Sequence, residues 1–151
     1  WCGKDYSEKP DFAVYNIGGI RSAFAKGDVT YGDVLDVAPF ENKICFVTLT
    51  GDRVLELFGQ IAAAGGEGVS HGVELVITKD GGLKSARLDG KDYVAQGNDN
   101  MTAFKAAIDV KSPQSKDNNV RFIIMKYMKE KMSQGISVSS RIEGRIKTEE
   151  K

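Results

Sequence analysis

The chain has 151 residues, 41% of them hydrophobic, and its 21 lysines and arginines are balanced by 21 aspartates and glutamates. That size supports one compact domain with a real core, and the neutral balance leaves no bulk field to draw the chain to nucleic acid or an anionic bilayer, so affinity for anions must be local. No apolar run approaches membrane-crossing length, and the one histidine, His71, lacks an HxH or HExxH partner, which argues against a self-sufficient metal hydrolase and against histidine-based serine or cysteine catalysis.

Residues 1–10 are polar after the first few and read as an irregular lead-in or the frayed end of a helix. Phe12-Ala13-Val14-Tyr15 reads as a buried strand running into the turn Asn16-Ile17-Gly18-Gly19-Ile20-Arg21. After Gly27-Asp28, Thr30 is a natural N-cap for a short helix that Pro39 stops. Lys43 to Thr50 is nearly continuous in apolar and β-branched residues, the pattern of a strand covered on both faces, with Cys45 as a buried thiol; a Cys2–Cys45 disulfide stays open. From Thr50 the spacing of Val54, Leu57, Phe58 and Ile61 puts them on one helical stripe, ended by Gly65-Gly66. His71 falls in a turn-like stretch. Val73 to Thr78 and Leu83 to Leu88 flank Lys79-Asp80-Gly81-Gly82 as a hairpin. A second amphipathic helix is expected from about Asn118 to Met132, with Val120, Ile123, Ile124, Tyr127 and Met128 inward and Lys126, Lys129 and Lys131 solvated. The whole is α+β.

The chemistry lies in the loops. Gly18 and Gly19 allow positive φ and close backbone approach, and their amides together with the Arg21 guanidinium suit phosphate or carboxylate oxygens. An ordinary glycine turn with a surface arginine would look the same, so the turn gains meaning only in company. Pro39-Phe40-Glu41-Asn42 offers a proline-anchored aromatic and an amide, and Tyr93 precedes the turn Gly97-Asn98-Asp99-Asn100. Two rings could sandwich a base for about 1–3 kcal/mol per stacked face, and Asp99 suits a ribose diol. Phe40 and Tyr93 as core residues, and Asp99 as a turn former, are the competing readings.

In this order the pieces resemble the C-terminal, substrate-binding domain of the 5′-nucleotidase/UDP-sugar hydrolase family. The matching residues are the Asn16-x-Gly-Gly-Ile-Arg21 turn, Gly27-Asp28-Val29-Thr30-Tyr31 leading to Pro39-Phe40-x-Asn42, Leu49-Thr50-Gly51, Val69-Ser70-x-Gly72, Gly97-x-Asp99 and Glu143-Gly144-Arg145-Ile146-Lys147. The resemblance covers residues 11–147 and leaves 148–151 as a tail. It implies helices and mixed sheets in an α/β/β/α layering, with Arg21 on phosphate, Asn16 heading that motif with Gly18 and Gly19, Phe40 and Tyr93 clamping the base, Asn42 near the base and Asp99 on ribose. It implies that this chain holds no cofactor itself. Hydrolysis would belong to a metallophosphatase domain with two divalent metal ions, supplied in cis or in trans, acting on a nucleotide or nucleotide-sugar, and the protein would be exported to the periplasm or cell surface, any signal having been removed. No nucleic acid and no membrane span are expected.

Three departures stand out. The family's Gly-Gly-Asp-Gly turn is Gly97-Asn98-Asp99-Asn100 here, which keeps tolerance of left-handed φ but loses slimness. Only Lys91 and Asp92 stand between Gly90 and Tyr93, where the family carries a further loop and a strand of the type Tyr-x-Ile-Ala, leaving either residues omitted from the sequence or a sheet one strand short. The family's upstream helix and linker, which supply further phosphate-binding arginines, would lie before Trp1, where the given residues start. The first expectation is therefore nucleotide recognition for a 5′-nucleotidase-like phosphohydrolase, and the alternative is a stand-alone or degenerate nucleotide-binding module without a catalytic role.

Overall fold

A computed structural model of the protein describes residues 10–93 and 119–150. They fall into two compact units interleaved along the chain: Asn16–Phe46 with residues 119–141 form the first, and Asp11–Tyr15 with residues 47–93 and 142–150 form the second. The elements are mixed sheet and helix, an α+β fold.

In the second unit, helix α2 (Gly51–Ala63) starts where the Thr50 hydroxyl accepts the Arg53 amide at 3.4 Å, with Asp52 in the first turn favouring the positive end of the helix dipole. Val54, Phe58 and Ile61 of the predicted stripe are buried, joined by Ala62, while Leu57 is only partly buried against the core. The helix ends in a Schellman motif: Gly66 donates to the Ile61 carbonyl and Gly65 to that of Ala62, both at 2.9 Å, with φ of +122° and +80° that side chains resist.

Strands β3 (Val73–Ile77) and β4 (Leu83–Leu88) form the predicted hairpin. Val73, Leu75 and Ile77 turn inward while Glu74 faces out, the period-two pattern of a sheet with one covered face. The Thr78 hydroxyl accepts the Gly82 amide at 2.7 Å and pairs with Asp80, closing the hairpin loop. Strand β5 (Lys91–Asp92) adds antiparallel to β4 straight after the Asp89–Gly90 turn, and β6 (Ile146–Thr148) adds parallel to β3, giving the order β5-β4-β3-β6. α2 packs on β3 and β4. At the core the Phe58 ring meets Phe12 at 5.4 Å and Tyr93 edge-on at 5.5 Å between centroids.

Two strand expectations need correcting. The pairing around residues 12–15 is only β1 (Val14–Tyr15) against β2 (Gly68–Val69), and Val14 is 40% exposed. A two-stranded ribbon covers no second face, so Phe12 alone of that run turns into the core. Lys43–Thr50 is not a strand covered on both faces. Lys43 makes an isolated bridge to Asn119, Val47 is half exposed, and Cys45 is exposed where a buried thiol is expected. The run leaves the first unit for the second between Phe46 and Val47, and a crossing segment lacks the flanking ladders that bury a central strand.

In the first unit, α1 (Tyr31–Val37) opens with a capping box: Thr30 accepts the Asp33 amide at 3.3 Å and the Asp33 carboxylate accepts the Thr30 amide at 2.6 Å. The Thr30 hydroxyl on that carboxylate also holds Asp33 below the usual carboxylate range. Val34, Val37 and Ala38 are buried, and α1 packs on α3 (Val120–Ser133). The apolar stripe of α3 is half-buried throughout, shallower than the sequence pattern suggests.

Phe58, fully buried among rings, should cost about 3–5 kcal/mol when cut to alanine, whereas Val14→Ala should stay within about 0.5 kcal/mol. Urea unfolding of the two variants beside wild type checks the contrast, and equal midpoints would contradict this core.

Candidate functional site

The turn after β1 builds itself from its own polar groups. The Asn16 side chain accepts the Gly18 amide at 2.8 Å, Gly19 donates to the Asn16 carbonyl at 2.9 Å and Ile20 to that of Ile17 at 3.0 Å, closing a 3₁₀ turn over Ile17–Gly19. Neither Gly18 nor Gly19 takes a positive φ. Glycine is needed at 18 for room, because a Cβ there would stand 3.0 Å from the Asn16 side-chain oxygen. The amides of Gly18 and Gly19 thus make local hydrogen bonds inside the turn.

What the turn delivers is Arg21. Its amide donates to the Val37 carbonyl at 2.9 Å, fastening the residue to the last residue of α1. Its guanidinium is exposed and places one Nη1–H on the Gly18 carbonyl at 3.3 Å, using one of five donors. Three residues beyond Val37 stands Phe40, half exposed, in the loop that follows the α1 C-cap at Ala38. The structure thus brings the arginine turn and the Pro39–Asn42 loop to one end of one helix.

That loop is held by α3. The Asn42 carbonyl accepts the Val120 amide at 2.9 Å, the Arg121 Nε–H donates to the Phe40 carbonyl at 3.3 Å, and its Nη2–H donates to that of Pro39 at 3.1 Å. Asn119, capping α3, accepts the Arg121 amide at 2.9 Å. Arg121 is not among the site residues expected from the sequence, yet the sequence carries a signal for it. A cation in the first turn of a helix opposes the dipole, which favours its engagement by acceptors outside the helix.

Asp99 lies outside the described residues. Tyr93 belongs to the second unit and is only 6% exposed, with its ring against Phe58. At that burial the ring packs in the core of its unit, the competing reading that the sequence left open for it. Burial, with Asp11 nearby, pushes its phenol up to about 12.

Two further sequence motifs meet in the second unit. Arg145 forks onto Glu143 through Nε and Nη2, both at 2.8 Å, and its Nη1 donates to the Val69 carbonyl. Ser70 bonds Ala13 twice, its amide to the carbonyl and its hydroxyl from the amide, both at 2.9 Å. Gly72, at φ +97°, leaves space that a Cβ would take from the Asp89 carboxylate. His71 is an exposed turn residue 3.4 Å from Glu143. These motifs hold backbone together. Among the described residues no group of three or more His, Cys, Asp or Glu side chains could hold a metal ion, and no helix is long and apolar enough to cross a membrane.

Residues 5–80, 76 of the 151, match the family model for the 5′-nucleotidase C-terminal domain. The chain belongs to that family. Among curated relatives of this 5′-nucleotidase C-terminal domain, a 5′-nucleotidase of Vibrio parahaemolyticus is 36% identical over 107 residues, 60% of this chain and 19% of the relative. Protein UshA of Escherichia coli is 32% identical over 84 residues, covering 54% and 15% of the two chains. The trifunctional nucleotide phosphoesterase protein YfkN of Bacillus subtilis is 28% identical over 163 residues, 89% of this chain and 11% of its own length. The crystal structure of a 5′-nucleotidase precursor from Thermus thermophilus shares the fold, with a TM-score of 0.62 at 24% identity over 91% of this chain and 31% of that one. The matched region is thus less than a fifth of these curated relatives.

The Tyr93 placement has a spectroscopic consequence. A phenol held neutral by folding stabilises the protein below the ordinary tyrosine value near 10, and that stability is lost as pH rises toward about 12. Ultraviolet titration of wild type minus Tyr93→Phe should show one phenol ionising near the upper value, and the variant's alkaline loss of thermal stability should be smaller. An ordinary titration for that phenol would mean an open ring.

Proposed function

We propose that this chain is the nucleotide-recognition part of a 5′-nucleotidase-type phosphohydrolase, taking a nucleotide or nucleotide-sugar whose phosphate is hydrolysed on a separate metallophosphatase domain, in cis or in trans. The observation that carries the reading is the Arg21 amide bonded to the Val37 carbonyl, which fastens the arginine's backbone to the end of α1, from which the loop bearing a half-exposed aromatic ring departs. Arg21 supplies a planar set of donors for phosphate oxygens, Phe40 a face for a nucleobase and Asn42 an amide near the base's edge. Asn16, Gly18 and Gly19 act by shaping the turn that presents Arg21. Asp99 is the proposed partner of the ribose hydroxyls.

The family resemblance is what assigns the two divalent ions to the separate domain, leaving this chain to bind and orient the substrate. The names of the curated relatives support the substrate class, and the family resemblance supports an exported protein. A module that binds without any catalytic partner would use the same residues, and differs only in whether hydrolysis follows when a metallophosphatase domain is added.

Titration of the chain with adenosine monophosphate and UDP-glucose, by calorimetry or amide NMR, tests the reading. Arg21→Ala removes charge-assisted hydrogen bonds worth about 1.5–3 kcal/mol, roughly a tenfold to hundredfold loss of affinity. Phe40→Ala removes a stacking face worth about 1–3 kcal/mol. Wild-type affinity in both variants, or no shift of either loop by any nucleotide, would refute nucleotide recognition here.

A further inference from the structure

We infer that Arg121 is a positioning residue for base recognition: it sets the attitude of the Phe40 ring by gripping the two carbonyls that bracket that ring's backbone, an inference that rests on the nucleotide reading above. The Phe40 ring is half exposed, so packing alone does not hold it, and its direction follows from the backbone beneath it. Proline fixes φ at residue 39. The next constraint is Arg121, whose Nε–H and Nη2–H lie on one edge of the planar guanidinium and reach the consecutive carbonyls of Phe40 and Pro39 at 3.3 and 3.1 Å. Val120 completes the grip on the Asn42 carbonyl, so two adjacent residues at the start of α3 hold three of the four carbonyls of residues 39–42.

Burial marks the arrangement as built. The Arg121 side chain is 14% exposed, while the Glu41 carboxylate 3.8 Å away is 84% exposed and contributes little at the surface. A guanidinium that far out of water needs acceptors, and among the described residues the two loop carbonyls are within hydrogen-bond reach. The ammonium of a lysine is a point donor on a flexible stem and does not reproduce the edge-on grip on both carbonyls. Without the grip the loop samples attitudes that do not present the ring, and apparent affinity falls by the fraction of time the competent attitude is lost.

The test compares two ligands on the full chain: adenosine monophosphate, which uses both Arg21 and Phe40, and ribose 5-phosphate, which lacks the base. Arg121→Lys and Arg121→Ala are each measured by amide NMR titration, with thermal unfolding alongside; the lysine variant keeps charge and stem and reports even where the alanine variant does not fold. The expected result is about a tenfold weakening for adenosine monophosphate with ribose 5-phosphate affinity within about twofold of wild type. Equal weakening of both ligands would show a merely structural role and overturn the inference. So would unchanged adenosine monophosphate binding in folded Arg121 variants when Phe40→Ala abolishes it. Should Arg21→Ala and Phe40→Ala themselves bind like wild type, the recognition reading fails first and this inference falls with it.

Discussion

A single backbone hydrogen bond, from the Arg21 amide to the Val37 carbonyl, organises the candidate site. Helix α1 ends with carbonyls that have no partner inside the helix, and one of them takes the amide of a residue from a preceding turn. One carbonyl of the helix end is thereby satisfied, and the backbone of Arg21 is fastened where the chain emerges toward Pro39 and Phe40. A turn that satisfies its own amides has little chemistry to offer except the residue it presents. Asn16, Gly18 and Gly19 are thus framing for Arg21, and the turn works as a mount more than as an anion cradle.

The second unit shows the same economy applied to stability. Residues that draw the eye in sequence, Ser70, Gly72, Glu143 and Arg145, spend their polar groups on backbone and on one another. Ser70 ties β1's approach to the segment after β2, and Arg145 ties the approach to β6 to Val69. Short strands such as β1 and β2 cannot hold themselves by ladder bonds alone, so side-chain clamps of this kind supplement them. The aromatic trio of Phe12, Phe58 and Tyr93 fills the core of this unit, with the Phe58 ring against both of the others.

Legibility in the sequence followed the range of the interaction. The Thr50 cap, the Val54–Phe58–Ile61 stripe and the Gly65-Gly66 stop all concern neighbours within a turn or two, and α2 was readable almost to the residue. The β3–β4 hairpin was readable for the same reason. Lys43–Thr50 was not, because an apolar β-branched run shows that a strand is affordable but not that neighbouring strands exist to pair with it. Arg121 stands 81 residues from Phe40, and only its awkward place at a helix N-terminus hinted at an outside engagement.

Composition, local periodicity and motif spacing by themselves determined that this is an α+β chain with capped helices, a glycine-turned hairpin and an arginine turn of the 5′-nucleotidase C-terminal type, since each depends on residues close in sequence or on a pattern that survives without coordinates. Tertiary structure alone decided which polar groups were left over after folding. It consumed the glycine amides, enclosed the Tyr93 ring, left Cys45 outside and turned Arg121 into the anchor of a distant loop. The reason is that hydrogen-bond donors and apolar faces are claimed by whichever partner the fold brings nearest, and nearness across dozens of residues is not written in any local pattern.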